Sequence, residues 1–214
     1  MRHRWILTFL CLWCLTSGLG SALLAQKAPI KGAPASLNDL QLGEPPWSGS
    51  DFVQRLQGHV AFFAVLLAPG QVPVVQGAPA GMVNGSLAAA AQRDAPAFAK
   101  RFNRWMHKEA SSASRNSAMC AALMARPPGV SMAPPPRVEA DVALQRYLQD
   151  LGYHGPVLLA AGAFEAAGGL TPGHYLVFDA KGALLYNGSQ ESKAEQIMRT
   201  ALREAEQEAR KARR

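Results

Sequence analysis

Two cysteines near the start of the chain have the spacing of a thiol-disulfide active site, Cys11-Leu-Trp-Cys14. Such a pair can close a reversible disulfide and exchange it with other disulfides. Both cysteines, however, lie in an apolar run, residues 5–15, that follows the basic start Met1-Arg-His-Arg4. A basic start followed by an apolar run and small residues is typical of a secretion signal, so the motif is interpreted as part of an export segment.

Two fates of this segment remain open. Cleavage after Ala22 or Ala25 would remove both cysteines, because small residues of this kind suit a signal peptidase. Alternatively, residues 5–25 carry no charge and approach the ~20 residues needed to cross a bilayer, so they would anchor the protein. Because Arg2 and Arg4 keep the N-terminus inside, either fate predicts export of the remaining chain, periplasmic or secreted.

Length and charge limit the number of domains and the kinds of partner expected for the exported part of the chain. Removing 25 of the 214 residues leaves 189, a length that suits one domain. Arg2 and Arg4 leave with the signal, so 20 basic and 15 acidic residues remain, a formal +5. This mild charge, with acids interspersed along the C-terminal tail, argues against nucleic-acid binding. Contact with an anionic membrane surface through Lys100, Arg104 and Lys108 is one hypothesis.

After cleavage a single cysteine, Cys120, would remain. Its neighbours are small or apolar, and no adjacent Lys, Arg or His would stabilise a thiolate. This favours a buried, inert thiol; the alternative is a nucleophile, as in a single-cysteine peroxidase or mixed-disulfide carrier. The histidines are scattered singly, without metal-ligand spacing, so neither a metal site nor a cofactor is predicted.

The apolar pattern predicts an α/β domain over residues 47–205, after a Pro- and Gly-rich linker at 26–46 and before a basic helix end at 206–214. A short helix is predicted over residues 51–57. The apolar run that follows, residues 59–68, does not alternate, which is typical of a strand buried on both faces of a sheet covered by helices.

A helical pattern begins near Leu87 and is interrupted at Pro96. Phe98, Phe102 and Trp105 then share one face, which predicts an amphipathic helix with a basic outer side. Residues 110–126 have helix-compatible spacing, and a short strand is possible at 130–133.

The last third of the chain has clearer signals. A helix with one apolar stripe is predicted over residues 140–151, ended by Gly152, and a strand over 156–160. Residues 174–187 have the pattern of a hairpin. Ser192-Lys-Ala-Glu195 predicts a capping box that opens the final helix.

This order of helix, strand, hairpin and helix resembles the second half of extracytoplasmic thioredoxin-like proteins, the membrane-tethered thiol-disulfide and redoxin group. The resemblance is carried by residues 144–189, with Pro156-Val-Leu-Leu159 in the strand and Asp179-Ala-Lys-Gly182 at the hairpin turn. Residues 51–68 are similar to the family's first helix and central strand. The resemblance implies a thioredoxin-like α/β fold with a central mixed sheet flanked by helices.

The same resemblance implies where a site should lie. Thr171-Pro172 stands at the family's cis-proline position, and Thr171, Pro172 and Gly173 would form a platform for an extended polypeptide, faced by the loop 69–73. The family's Cys-x-x-Cys follows its central strand, where this chain reads Ala68-Pro-Gly-Gln-Val-Pro73. The leading hypothesis is therefore a redox-inactive, peptide-binding thioredoxin-like module.

Overall fold

A computed structural model describes residues 34–48, 51–69, 85–111, 118–127, 129–132, 138–161 and 170–213. Within these residues the strands are β1 Leu42–Gly43, β2 Ala61–Val65, β3 Met119–Ala125, β4 Val157–Ala160, β5 Tyr175–Phe178 and β6 Leu184–Gly188. The α-helices are α1 Phe52–Arg55, α2 Gly85–Ser111, α3 Val138–Asp150 and α4 Glu191–Ala212. A 3₁₀ helix, Leu37–Leu40, precedes β1. The predicted export segment, residues 1–25, lies outside the described residues.

The six strands form one mixed sheet in the order β1-β4-β3-β2-β5-β6. The parallel strands β2, β3 and β4 form its centre, and β5 and β6 add to β2 as an antiparallel hairpin. The predicted α/β class, with a central mixed sheet flanked by helices, is confirmed. The order of helix, strand, hairpin and helix predicted for the last third is confirmed as well.

Side chains of β2 alternate between two separate apolar cores, as the period of a strand requires. Phe62 and Ala64 face a core that contains residues of α2, α3 and α4. Phe63 and Val65 face a smaller core closed by α1, the 3₁₀ helix and Leu170. All five residues of β2 are buried, which explains the unbroken apolar run of its sequence.

The predicted linker, residues 26–46, is too long. Leu40 is fully buried, β1 pairs antiparallel with β4, and Ser36 bridges to Ala183 at the start of β6. The Asp39 carboxylate accepts hydrogen bonds from the Ser36 and Ala35 amides, which lower its pKa and hold the 3₁₀ helix at its start. Ser36-Leu-Asn-Asp39 is itself a capping signal that could have moved the domain boundary earlier.

Two predictions about helix α2 and strand β3 were wrong. Pro96 does not interrupt α2, which continues from residue 85 to residue 111. A proline removes the bond to the carbonyl four residues earlier, and here that residue, Gln92, is exposed, so water can satisfy its carbonyl. Residues 119–125, predicted as helix-compatible, form β3, because pairing with β2 and β4 on both sides outweighs the helix propensity of Ala and Met.

Smaller differences concern helix ends and the stretch before α3. Helix α4 begins at Glu191 after Gln190, so the predicted capping box at 192–195 is wrong by position. Residues 129–132 form no strand, although Val130 is buried. Gly152 does end α3, with a positive φ of 67° that favours glycine.

Candidate functional site

Several chain segments meet where the parallel strands β2, β3 and β4 end, which we name the carboxyl end of the sheet. Strand β5 begins there because it runs antiparallel to β2, and β6 returns there before α4 begins. Helix α3 starts at the same end after its connection from β3. In α/β sheets this end, where loops and helix N-termini meet, is the usual place for ligands.

The predicted platform, Thr171 to Gly173, lies at this end as a tight turn. The His174 amide donates to the Thr171 carbonyl at 3.1 Å, and Gly173 has a φ of 83°. Proline at the second position and a positive-φ glycine at the third are the features of a type II turn. The Gly173 amide donates to the Val65 carbonyl at 2.9 Å, which fixes the turn to the end of β2.

The turn leaves part of the platform open to a partner. Thr171, Pro172 and Gly173 are all half-buried. The Thr171 carbonyl already accepts the His174 amide, but a carbonyl oxygen has a second lone pair. A polypeptide that paired with Thr171 would therefore share this carbonyl with the turn.

The segment after β2 occupies the position where the resemblance implies a dithiol. Leu66 donates its amide to the Leu123 carbonyl at 2.8 Å, and the Tyr147 hydroxyl donates to the Leu67 carbonyl at 2.7 Å. The pKa of Tyr147 is raised because its hydroxyl is removed from water. Pro69 ends this described segment, and the rest of the predicted facing wall, residues 70–73, lies outside the described residues.

Cys120 lies at the opposite end of the sheet. It is the second residue of β3 and pairs with Phe62, near the start of β2. Its thiol lies 3.3 Å from the Ala118 carbonyl, and the residue is half-buried, whereas a buried thiol was the leading prediction. Leu123, which contacts the segment after β2, is three residues further along β3, about 10 Å at ~3.3 Å per residue. The structure therefore does not bring Cys120 together with Thr171, Pro172 and Gly173.

Asp141 is a candidate residue that the sequence analysis missed. It lies in the first turn of α3, and both carboxylate oxygens are buried with no hydrogen-bond partner. Its burial was visible in the sequence, since Asp141 stands three residues before Leu144 and seven before Leu148, on the stripe predicted to face the core.

Two polar pairs close the same end beside the turn, and both were also missed. The ring of His174 lies 3.0 Å from the Asn187 side-chain oxygen. The Tyr175 hydroxyl donates to the Glu191 carboxylate at 3.1 Å, and burial, with the nearby Glu191 charge, raises the pKa of Tyr175. Each pair joins β5 to β6 or to the start of α4, so both hold the platform in place.

The predicted basic residues Lys100, Arg104 and Lys108 are exposed on α2. A methyl group added to Gly152 would lie 3.1 Å from Lys100 Cε, so the Lys100 stem packs over the end of α3. This contact of the Lys100 stem carbons gives Lys100 a packing role as well. Within the described residues, no group of three or more His, Cys, Asp or Glu side chains could hold a metal ion, and no helix is long and apolar enough to span a membrane.

The solved structures that the chain resembles include a secreted thiol-disulfide isomerase from Corynebacterium glutamicum (12% identity, 72% of this chain and 75% of that chain, TM-score 0.39), a thioredoxin-like protein in the oxidized form (12%, 76% and 95%, 0.37) and a thioredoxin-like superfamily protein (16%, 75% and 94%, 0.40). No protein-family model and no curated protein matches the chain. At these identities and TM-scores the likenesses say nothing about activity.

Proposed function

We propose that this protein is an exported thioredoxin-like domain that works without a dithiol and binds an extended polypeptide at the carboxyl end of its sheet. The Thr171-Pro-Gly173 turn is the platform, and a partner segment would add beside it as a strand, using backbone hydrogen bonds for affinity. Export is inferred from the basic start and the apolar run of residues 5–15.

The observation that carries this proposal is the separation of Cys120 from the platform. Cys120 pairs with the second residue of β2, whereas Gly173 bonds to the last residue of β2. A thiol that exchanged disulfides with a bound polypeptide would need to reach the platform. The half-buried turn is accessible to a partner and supports binding. The position of Cys120, away from this turn, supports a structural role for its thiol.

The binding test uses a photo-crosslinking amino acid at Thr171, with the same group at Gln57, an exposed residue before the start of β2, as the control. Cells expressing each variant are irradiated, and the crosslinked chains are identified by mass spectrometry. We expect polypeptide adducts at Thr171 that are absent at Gln57. Equal adduct patterns at both positions would contradict the platform.

The alternative is a single-cysteine redox enzyme that uses Cys120, and it is tested separately. The exported protein, with its N-terminus determined by sequencing, is assayed for insulin reduction with dithiothreitol beside Cys120→Ser. We expect no rate above background for either protein. A rate that disappears in Cys120→Ser would establish the redox enzyme instead, and the N-terminal sequence shows whether cleavage removes Cys11 and Cys14.

A contact with an anionic membrane surface is a second proposal, because Lys100, Arg104 and Lys108 are exposed along one line of α2 at intervals of four residues. Such contacts weaken with salt. We expect co-sedimentation with vesicles containing phosphatidylserine at low salt, reduced when the three residues are changed to Gln. Binding that is unchanged in the triple variant would exclude this surface.

A further inference from the structure

Three of the first five residues of helix α3 have the reverse of the pattern that follows them. Val138 and Val142 are exposed, at 66% and 46%, whereas the charged Asp141 between them is only 5% exposed. In the second half of the helix the ordinary arrangement returns, with Leu144 and Leu148 buried. Single exposed valines are ordinary, but a carboxylate buried without a partner beside them is unfavourable for an isolated domain, which indicates that another molecule contacts this place.

The Asp141 carboxylate is the most unusual group at this place. Neither oxygen has a hydrogen-bond partner, and neither is reached by water. Burying a charge without a partner is costly, and buried polar groups in native proteins are nearly always paired. A partner is therefore expected, and the chemistry that suits a lone carboxylate is an ammonium or guanidinium group. A divalent metal ion would need several more oxygen ligands, and the described residues provide no cluster of them.

The two exposed valines lie beside the buried aspartate on the helix. Val138 is three residues before Asp141 and four before Val142, so it is the helical neighbour of both. Because Asp141 makes no hydrogen bond, no bond must break when its side chain turns toward an incoming cation. The valines can therefore provide an apolar contact, and the adjacent Asp141 can provide a charge-assisted hydrogen bond.

We propose that Val138, Asp141 and Val142 bind a lysine or arginine side chain of the polypeptide partner, with an apolar residue of the partner against the two valines. This inference rests on the proposed function, because it names the chemistry of the same partner. The charge of Asp141 selects a cation, and the apolar flanks make the contact favourable for a side chain within a polypeptide rather than for a free ion.

The distance from the platform is compatible with one short peptide. The platform adjoins β2 and β5, whereas α3 begins after β3, so one to two strand spacings of about 4.8 Å separate the two places across the sheet. With the height of the helix above the sheet added, the span is on the order of 10–15 Å, or about four residues of extended chain. A nine-residue peptide can contact both places at once.

The test uses fluorescein-labelled, capped nonapeptides of alanine and valine with one central lysine, compared with an otherwise identical peptide with glutamine. Binding to the full exported chain is measured by fluorescence anisotropy. We expect the lysine peptide to bind at least ten-fold more tightly than the glutamine peptide, and Asp141→Asn to remove this preference. Glu139→Gln is the matched control, since it removes an exposed carboxylate from the same helical turn and should change binding less than two-fold.

The possible outcomes separate this inference from the proposed function. If both peptides bind equally and the photo-crosslinker at Thr171 captures both, the platform stands and the Asp141 site is overturned. If Glu139→Gln reduces binding as much as Asp141→Asn, the preference is general electrostatic attraction, and the site is overturned as well. If neither peptide binds the unmodified protein, both proposals fail. Circular dichroism and urea unfolding of Asp141→Asn establish that any lost binding occurs in a folded chain.

Discussion

The two ends of the central sheet differ in how completely their polar groups are satisfied. At the end where the parallel strands begin, the Tyr153 hydroxyl donates to the Pro156 carbonyl at 2.7 Å and accepts the Ala122 amide at 2.9 Å. At the carboxyl end, Asp141 is buried with both oxygens unpaired. A satisfied network stabilises the fold, whereas an unsatisfied buried group is rare in native proteins and needs an explanation.

The aromatic residues reinforce this difference. Phe62, near the start of β2, is fully buried, with ring centroids 4.5 Å from Trp105 and 5.8 Å from Phe102. Asn103 of α2 donates to the Gly152 carbonyl and ties this core to the end of α3. We therefore expect the end where the parallel strands begin to be the stable part of the molecule. Substitutions there should lower the free energy of unfolding without changing the binding of a polypeptide.

The largest expected effect is the loss of stability in Phe62→Ala. Removing a fully buried ring from the aromatic cluster leaves a cavity and should lower the free energy of unfolding by about 3–5 kcal/mol. Urea unfolding followed by circular dichroism measures the change, with Leu185→Ala as the control, because Leu185 is 37% exposed on β6. A loss below about 1 kcal/mol would contradict the assignment of this cluster as the main core.

Asp141→Leu should have the opposite effect and raise the free energy of unfolding. Replacing an unpaired buried carboxylate with the apolar leucine side chain removes the cost of the unpaired charge, and the increase should be about 1–3 kcal/mol. Glu139→Leu, at an exposed position in the same turn, should stay within about 0.5 kcal/mol of the unmodified protein. A loss of stability in Asp141→Leu would mean that the carboxylate has a partner within the folded chain.

Tyr153→Phe should lower the free energy of unfolding by only about 1 kcal/mol at neutral pH. The loss is small because the Ala122 amide keeps its 2.9 Å bond to the Pro156 carbonyl. Burial raises the pKa of Tyr153 above its ordinary value. The folded protein thus holds a proton that the unfolded chain releases, so stability falls as the pH rises above about 10.

The pH dependence of Tyr153→Phe distinguishes burial from a general alkaline effect. Its decline above pH 10 should be shallower than that of the unmodified protein by up to about 1.4 kcal/mol per pH unit. Tyr186→Phe, which loses only exposed bonds to Gln190, should keep the original slope. Urea unfolding at pH 8, 9, 10 and 11 measures both, and parallel declines in all three proteins would refute the role of Tyr153.

The smallest effect is expected for Cys120→Ala. The thiol is half-buried and makes a weak bond to the Ala118 carbonyl, so its removal should cost less than about 1 kcal/mol. Peptide binding should be unchanged, because Cys120 lies at the stable end of the sheet. Anisotropy with the lysine nonapeptide and urea unfolding check both statements, and weaker peptide binding would place Cys120 closer to the platform than the strand register does.

Much of the second half of the fold could be predicted because its signals are local. The apolar stripe and Gly152 predicted α3 and its end, and the run at 174–187 predicted the hairpin. The platform was predicted from the resemblance alone, and the structure adds the turn that bonds it to β2. Asp141 was missed because a single acid on an apolar stripe gives no sign of whether a partner reaches it.

The errors share one physical cause, which is that pairing partners distant in sequence decide between alternatives of similar local preference. The Ala- and Met-rich segment at 119–125 is a central strand only because β2 and β4 pair with it on both sides. Residues 35–43 belong to the domain only because β4 and β6 offer them edges to pair with.

The sequence by itself determined the apolar strand β2, the amphipathic faces of α2 and α3, the hairpin and the lack of a second cysteine beyond residue 14. These follow from composition, period and turn residues, which act over a few positions. Only the tertiary structure decided that Cys120 and the platform lie at opposite ends of the sheet, and that Asp141 is buried without a partner. Both depend on strand order and packing, since contacts between distant residues fix the distance between groups and their access to water.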